Sequence, residues 1–361
     1  MRRILKELRQ NPIFWLLPLA PVVIVAAQAA PQAQTLLFVL SVVAIVPLAA
    51  LLSHATESVA AKTGDTVGGL LNASLGNLTE LVIALTALRL GMIDLVKASI
   101  AGVIVANLLF MLGMSFLLGG LRHHVQEYNA STARLQVAML LLATVTLLVP
   151  SALADAEQLK ATQYLQDLSV GLSILLIACY VLGLVFSLGT HRDAFGSKAK
   201  HAKDEKPWPM PVALGLLAAA TVLIAMVSHV FVESVQHAAE QLGMSPAFVG
   251  FVVVALVGGA AESFTAFAAA RKNRLDMSVG IAIGSASQIA LFVAPLIVLA
   301  SHFIGPKPMD LAFGTGQVVA VFLAMFTVAT VASSGKSAWF TGVQLVAVYL
   351  VFAITLYLLP G

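Results

Sequence analysis

Cysteine is almost missing: Cys179 is the only one in 361 residues, so the chain builds no disulfide framework of its own. Charge is as scarce. Ten per cent of the residues are Asp, Glu, Lys or Arg, where a soluble domain carries about 25 per cent, and 60 per cent are hydrophobic. Such a chain cannot clothe itself in a polar surface and reads as a polytopic membrane protein surrounded by the lipid bilayer. Each crossing of about 30 Å of hydrocarbon takes roughly 20 residues, which leaves room for ten or eleven helices, short loops and no soluble domain. H-E-x-x-H and paired-aspartate motifs are both lacking, which argues against an intramembrane hydrolase and against an enzyme in general. No cofactor is implied. The net charge of +3 does not point to nucleic acid, because the basic residues are distributed by membrane side and form no patch.

Apolar runs at 13–30, 34–61, 65–88, 95–119, 133–154, 163–189, 209–239, 245–270, 276–302, 309–333 and 337–359 predict eleven membrane-spanning helices. With the N-terminus in the cytoplasm, sixteen of the twenty Lys and Arg fall inside, and only Arg89, Lys97, Lys160 and Lys307 fall outside. That is the bias of the positive-inside rule. The basic start and the small residues from Ala26 to Ala33 resemble a cleaved signal, but everything downstream is also hydrophobic, so a retained first helix is the better reading. The charged, proline-bounded stretch from His191 to Pro209 divides the rest. The expected layout is a cytoplasmic tail and first helix in 1–33, five helices in 34–189, a cytoplasmic linker in 190–208 and five helices in 209–361. Five is odd, so related halves would cross the membrane in opposite directions, as in many secondary transporters. In a prokaryote the location would be the plasma (inner) membrane. A homo-oligomer is compatible with this layout, and the sequence does not set the oligomeric state.

A repeat is detectable within the chain. Glu80, Arg89 and Asp94 recur as Glu262, Arg271 and Asp276, each 182 positions later, and the same offset pairs Gly102 with Gly284. Thr56-Glu57-Ser58 likewise resembles Val232-Glu233-Ser234.

The chemistry concentrates in two stretches, Gly76-Asn77-Leu78-Thr79-Glu80 and Gly258-Gly259-Ala260-Ala261-Glu262. An ionisable side chain in lipid surroundings costs at least a few kcal/mol, so such a group is expected to face a bundle interior or a water-filled cavity. Both glutamates are expected past the middle of a single glycine-interrupted helix, facing each other at mid-membrane. Two carboxylates with amides, hydroxyls and backbone carbonyls suit a hard cation, and calcium takes six to eight oxygen ligands. Gly76 and Gly258 permit close helix packing or local unwinding that releases carbonyl oxygens. Asn77 lies one turn before Glu80 and is a candidate ligand. Asn107, Ser285, Ser287 and Gln288 follow in the next helices, where a cation site or interhelical hydrogen bonds would each satisfy them. Ser74, Thr79, Ser263 and Thr265 are more often bonded to their own helix backbone. A pair of protonated, hydrogen-bonded glutamates is the plain alternative, and it leaves the matched offset unaccounted for. Glu57 with His54, and Glu233 with His229, would line the two mouths as proton relays or cation attractors, or stand there simply solvated. His123, His124 and the linker histidines read as solvated.

These motifs, together with Gly284-Ser285-Ala286-Ser287-Gln288-Ile289-Ala290-Leu291-Phe292-Val293-Ala294-Pro295, resemble the signature repeats of the calcium/proton exchanger family, within the calcium/cation antiporter superfamily. The resemblance runs from about Ala55 to the C-terminus. It implies a secondary antiporter exchanging Ca²⁺, or other divalent cations, for H⁺ by alternating access. Glu80 and Glu262 would be the alternating calcium and proton sites, with Asn77, Gln288 and backbone carbonyls completing coordination, and Glu57 and Glu233 would belong to the acidic paths. It also implies rocking of the helix 1 and 6 region against the four helices around the site. Three departures stand out: Gly259 where the family usually has Asn, Ser263 where it has His, and a linker that is not acidic. A Na⁺-driven exchanger and a passive cation channel are the rivals. Sodium-coupled relatives carry proline before the glutamate, and neither glutamate here is so preceded.

Overall fold

A computed structural model describes residues 11–63, 65–155, 162–190 and 207–358. The basic start, Lys160 and most of the linker lie outside the described residues. The chain forms helices α1 (Pro12–Ala29), α2 (Gln34–Ala60), α3 (Asp65–Leu75), α4 (Leu78–Arg89), α5 (Ile93–His123), α6 (Ala130–Asp155) and α7 (Gln163–Thr190). After the linker come α8 (Met210–Gln241), α9 (Pro246–Gly258), α10 (Ala260–Arg271), α11 (Leu275–Ile304), α12 (Thr315–Ala332) and α13 (Trp339–Leu358). Among the described residues nine helices are long and apolar enough to cross a membrane, and ten spans result if the bent pair α9 and α10 counts as one. The protein is a predominantly helical, multi-pass membrane protein. Its only strands are short, among the described residues: β1 (Val125–Glu127) pairs antiparallel with β2 (Lys336–Ala338).

Three predicted spans need correction. The runs 65–88 and 245–270 are each two helices. The chain leaves helical geometry at Asn77 (φ −98°, ψ 28°) and at Gly259 (φ −78°, ψ 7°), and α10 turns 58° away from α9. Glycine costs a helix interior about 1 kcal/mol, so Gly76, Gly258 and Gly259 mark where the break is cheapest. The third, 309–333, begins only at Thr315. Residues 305–314 instead form a loop whose backbone N–H groups are taken by buried serines: Met309 by Ser301, Leu311 by Ser169 and Phe313 by Ser151. Buried backbone donors need such partners in a non-helical segment.

Helix limits repeat as the sequence does. Adding 182 to the bounds of α4 gives those of α10, and adding it to the start of α5 gives the start of α11. Both α5 and α11 also widen into a π-helical segment at matching places, Ala106–Met111 and Ile289–Val293. π-bulges of this kind are frequent at functional sites.

The longest helices, α2 and α8, pack along each other, with Phe38 stacked on Phe231 at 5.4 Å. Two sets of contacts define the ends of the bundle. At one, Gln126 donates to the Ala270 carbonyl, His123 contacts the Arg271 carbonyl and β1 pairs with β2, gathering Arg122, Arg134, Arg271, Lys272, Arg274 and Lys336. At the other, Lys97 bonds Asp310 at 2.7 Å, and Arg89 and Lys307 lie nearby in sequence.

Candidate functional site

The two breaks create the site. Asn77 and Gly259 stand at the N-cap positions of α4 and α10, which puts Glu80 and Glu262 at the third residue of their helices, within the first turn. This corrects the expectation of carboxylates past the middle of single, glycine-interrupted helices. The difference matters because a helix start points free N–H groups and the positive end of its dipole at an acidic side chain. Asn77 does not use its side chain to cap α4, and its carboxamide is left for tertiary contacts.

Those contacts form a chain across the repeats. Asn77 Nδ2 donates to Gln288 Oε1 at 2.7 Å, and Ser285 Oγ donates to Asn77 Oδ1 at 2.7 Å. Asn107 Nδ2 donates to Ser285 Oγ at 3.0 Å, and Ser285 also stands against Glu262. Asn77, Asn107 and Ser285 are all buried. The amides expected either at a cation site or in interhelical bonds are bonded across helices, to one another and to Ser285.

Glu80 is buried and packs on the second break: a Cβ added to Gly258 would lie 3.2 Å from Glu80 Cγ. Gly76 faces Gln288 Oε1 at 3.9 Å by the same construction. Glu262 is half-buried, and its Oε2 is shielded without a hydrogen-bond donor among the described residues. The two carboxylates are close enough for each to feel the other's charge. Among the described residues no three His, Cys, Asp or Glu converge, so the donor set is two carboxylates with neutral oxygens. Such a set fits a hard cation and offers nothing to a thiophilic one.

The sodium/calcium exchanger protein family pattern matches residues 33–189 and 212–358. The chain belongs to that family. Within it, the chain is 39% identical over 338 residues to the Ca²⁺/H⁺ antiporter of Aphanothece halophytica, with 90% of each chain covered. It is 39% identical over 329 residues to the Ca²⁺/H⁺ antiporter ChaA of Bacillus subtilis, covering 90% of this chain and 93% of that one. A solved structure of native YfkE superposes with a TM-score of 0.84 at 35% identity, covering 97% of this chain and all of that one.

Other predicted residues of this exchanger lie apart from the carboxylates. Ser287 turns to the other side of α11, where its hydroxyl bonds the carbonyls of Gln136 at 3.1 Å and Ile283 at 2.9 Å. Ser285 is two residues away, about 200° around the axis and so on nearly the opposite face, which is why one reaches the site and the other does not. Thr265 bonds its own helix at Ala261. Glu233 and His229 do pair, at 3.2 Å on an exposed face of α8. Glu57 is exposed near the end of α2, while His54 lies flat on Trp208 with ring centres 4.4 Å apart. His54 is thereby engaged with the segment entering α8. His123, read as simply solvated, contacts the end of α10.

Two features escaped the sequence reading. A narrow cleft reaches Glu80 between α4, α5, α9 and α11, lined by Ile83, Val103, Val254 and Gly258, with Ser99 as its polar wall. Asn72, four residues before Gly76, is exposed on α3. Its spacing from Gly76 was the available signal.

Proposed function

We propose that this protein exchanges Ca²⁺ for protons across a membrane by alternating access, at a site formed by Glu80 and Glu262 with Asn77, Ser285, Asn107 and Gln288 around them. The observation that carries the reading is the pair of carboxylates set in the first turns of two broken helices, each within the other's field, with Ser285 against Glu262. The antiporter names of relatives that are 39% identical support it. Coupling follows from charge. Two anions held away from water and close together repel each other and forgo hydration, so the empty dianion is the costly state. One Ca²⁺ or two protons neutralise it, and only a neutralised site would switch access. Cation and proton thus compete for the same oxygens and never leave together.

The finer architecture belongs to the same proposal. Counting α3 with α4 as a broken span, and α9 with α10 as another, gives eleven spans: α1 followed by inverted repeats of five, α2 to α7 and α8 to α13. The N-terminus and linker would be cytoplasmic, by the bias of Lys and Arg, and the membrane would be the plasma membrane in a prokaryote.

Purified protein in vesicles with an acid interior should take up Ca²⁺ and release protons whether or not Na⁺ is present. Uptake that requires Na⁺, or that moves no protons, would sink the assignment. Glu80→Gln and Glu262→Gln should each abolish exchange, and measurable exchange in either would remove the two-carboxylate site.

A further inference from the structure

The two approaches to the site are chemically unequal, and the repeat shows where. On the side of Glu80, Val254 lies one turn before Gly258 and lines the cleft that ends on the carboxylate. Val254 and Gly258 have repeat mates 182 residues earlier, Asn72 and Gly76. Asn72 sits one turn before Gly76 on the same helix face, joined to it by the bond from Gly76 N to the Asn72 carbonyl at 2.9 Å. Gly76 in turn faces Gln288. The asparagine therefore occupies, on the approach to Glu262, the place that valine occupies on the approach to Glu80.

Exposure divides the same way. Val254 and Ile83 are buried, while their mates Asn72 and Thr265 are exposed and half-buried, as Glu262 is more open than Glu80. The Asn72 carboxamide makes no hydrogen bond to any described residue. An exposed amide on a helix this apolar has to meet water or a ligand, since lipid would leave it unsatisfied at a cost of a few kcal/mol.

We propose that Asn72 is the first protein ligand met by a cation entering from the linker end, where its Oδ1 replaces one water of the hydrated Ca²⁺ before the ion passes Gly76 to the carboxylates. At the opposite mouth Val254 holds that position, and Ser99, the polar wall of that cleft, has its hydroxyl bonded back to the Val96 carbonyl, so the exchanger is poised to collect Ca²⁺ from one face. The inference rests on the Ca²⁺/H⁺ exchange reading and on the pairing of the repeats.

Everted and right-side-out membrane vesicles, both loaded acid, present opposite faces to Ca²⁺ in the medium, and a tag in the linker reports which face is outermost. Asn72→Val should raise the KM for Ca²⁺ about fivefold at the linker face, the weight of one neutral polar contact, with little change at the other face. Asn72→Asp should restore or lower it. The reciprocal change, Val254→Asn, should lower the KM at the opposite face alone, and it tests the idea even if Asn72→Val folds poorly. Equal shifts at both faces, or no shift with either substitution, would overturn the proposal. Wild-type vesicles that show no Ca²⁺/H⁺ exchange would instead sink the reading beneath it.

Discussion

Gly258 and Gly280 are both helical glycines of the second half, yet they predict opposite outcomes on substitution. At Gly258 a methyl group would stand 3.2 Å from Glu80 Cγ, so Glu80 must give by a few tenths of an ångström, straining its side-chain torsions. An off-rotamer torsion costs roughly 0.5–1.5 kcal/mol, and Gly258→Ala should raise the KM for Ca²⁺ several-fold with little loss of folded protein. At Gly280 nothing lies within 4 Å of the added carbon. Gly280→Ala should leave transport unchanged and stabilise α11 by about 0.5–1 kcal/mol, read as a small rise in Tm. Glutamate in an apolar segment is legible from the sequence because its burial demands an explanation. The contact between Glu80 and Gly258 is not, since the two residues are far apart in the chain and glycine announces only that something comes close.

At the scale of elements, each glutamate helix ends against the loop that follows the long helix of the other half. The end of α10 accepts from His123 at the end of α5 and from Gln126 in β1, which follows it. The end of α4 abuts the loop after α11: Gly91 faces Pro306 at 3.1 Å and Gly305 faces Leu88 at 3.4 Å, measured from an added Cβ. These loops clamp the two site helices from opposite ends. Lys97, largely shielded, holds its loop through Asp310 and the Ala312 carbonyl, both at 2.7 Å. Lys97→Met should leave Asp310 without its partner and lower stability by roughly 1–3 kcal/mol, seen as a lower Tm and as faster hydrogen exchange in 309–313. Close helix crossings are less forgiving still. A Cβ on Gly102 would meet the Phe251 carbonyl at 2.2 Å, so Gly102→Ala should part α5 from α9 and cost roughly 1–3 kcal/mol or more. The offset of 182 made these helices comparable before any coordinates. Whether Gly76 and Gly258 mark close packing or a break is left open by the sequence, because hydropathy does not change there and only backbone geometry does.

For the whole molecule, the two halves are tied outside the bundle by β1 and β2. Lys336 bonds Glu127 at 2.9 Å, which through that hydrogen bond, and then through charge, holds the Glu127 carboxyl below its ordinary range and the Lys336 ammonium above its own. The carboxyl's share of the tie is present above its unfolded pKa and lost as pH falls through the lowered one. The ammonium's share is present below its unfolded pKa and lost as pH rises through the raised one, so the tie is whole across neutral pH. Both groups are exposed, and salt screens them. Lys336→Ala should therefore lower Tm slightly at neutral pH and low salt, with the difference vanishing in high salt or strong acid. The membrane class, the sorting of charges, the internal repeat and the two glutamates are all legible in the order of residues, because each follows from the cost of placing polar groups in hydrocarbon. How the glutamates are held is a matter of tertiary packing: at the starts of broken helices, Glu80 seated on Gly258 and Glu262 against Ser285, which is linked to Asn77, Asn107 and Gln288, with Ser287 turned away. Composition and spacing record which groups must be buried, whereas which of them meet depends on helix rotation and on bends that no local pattern encodes.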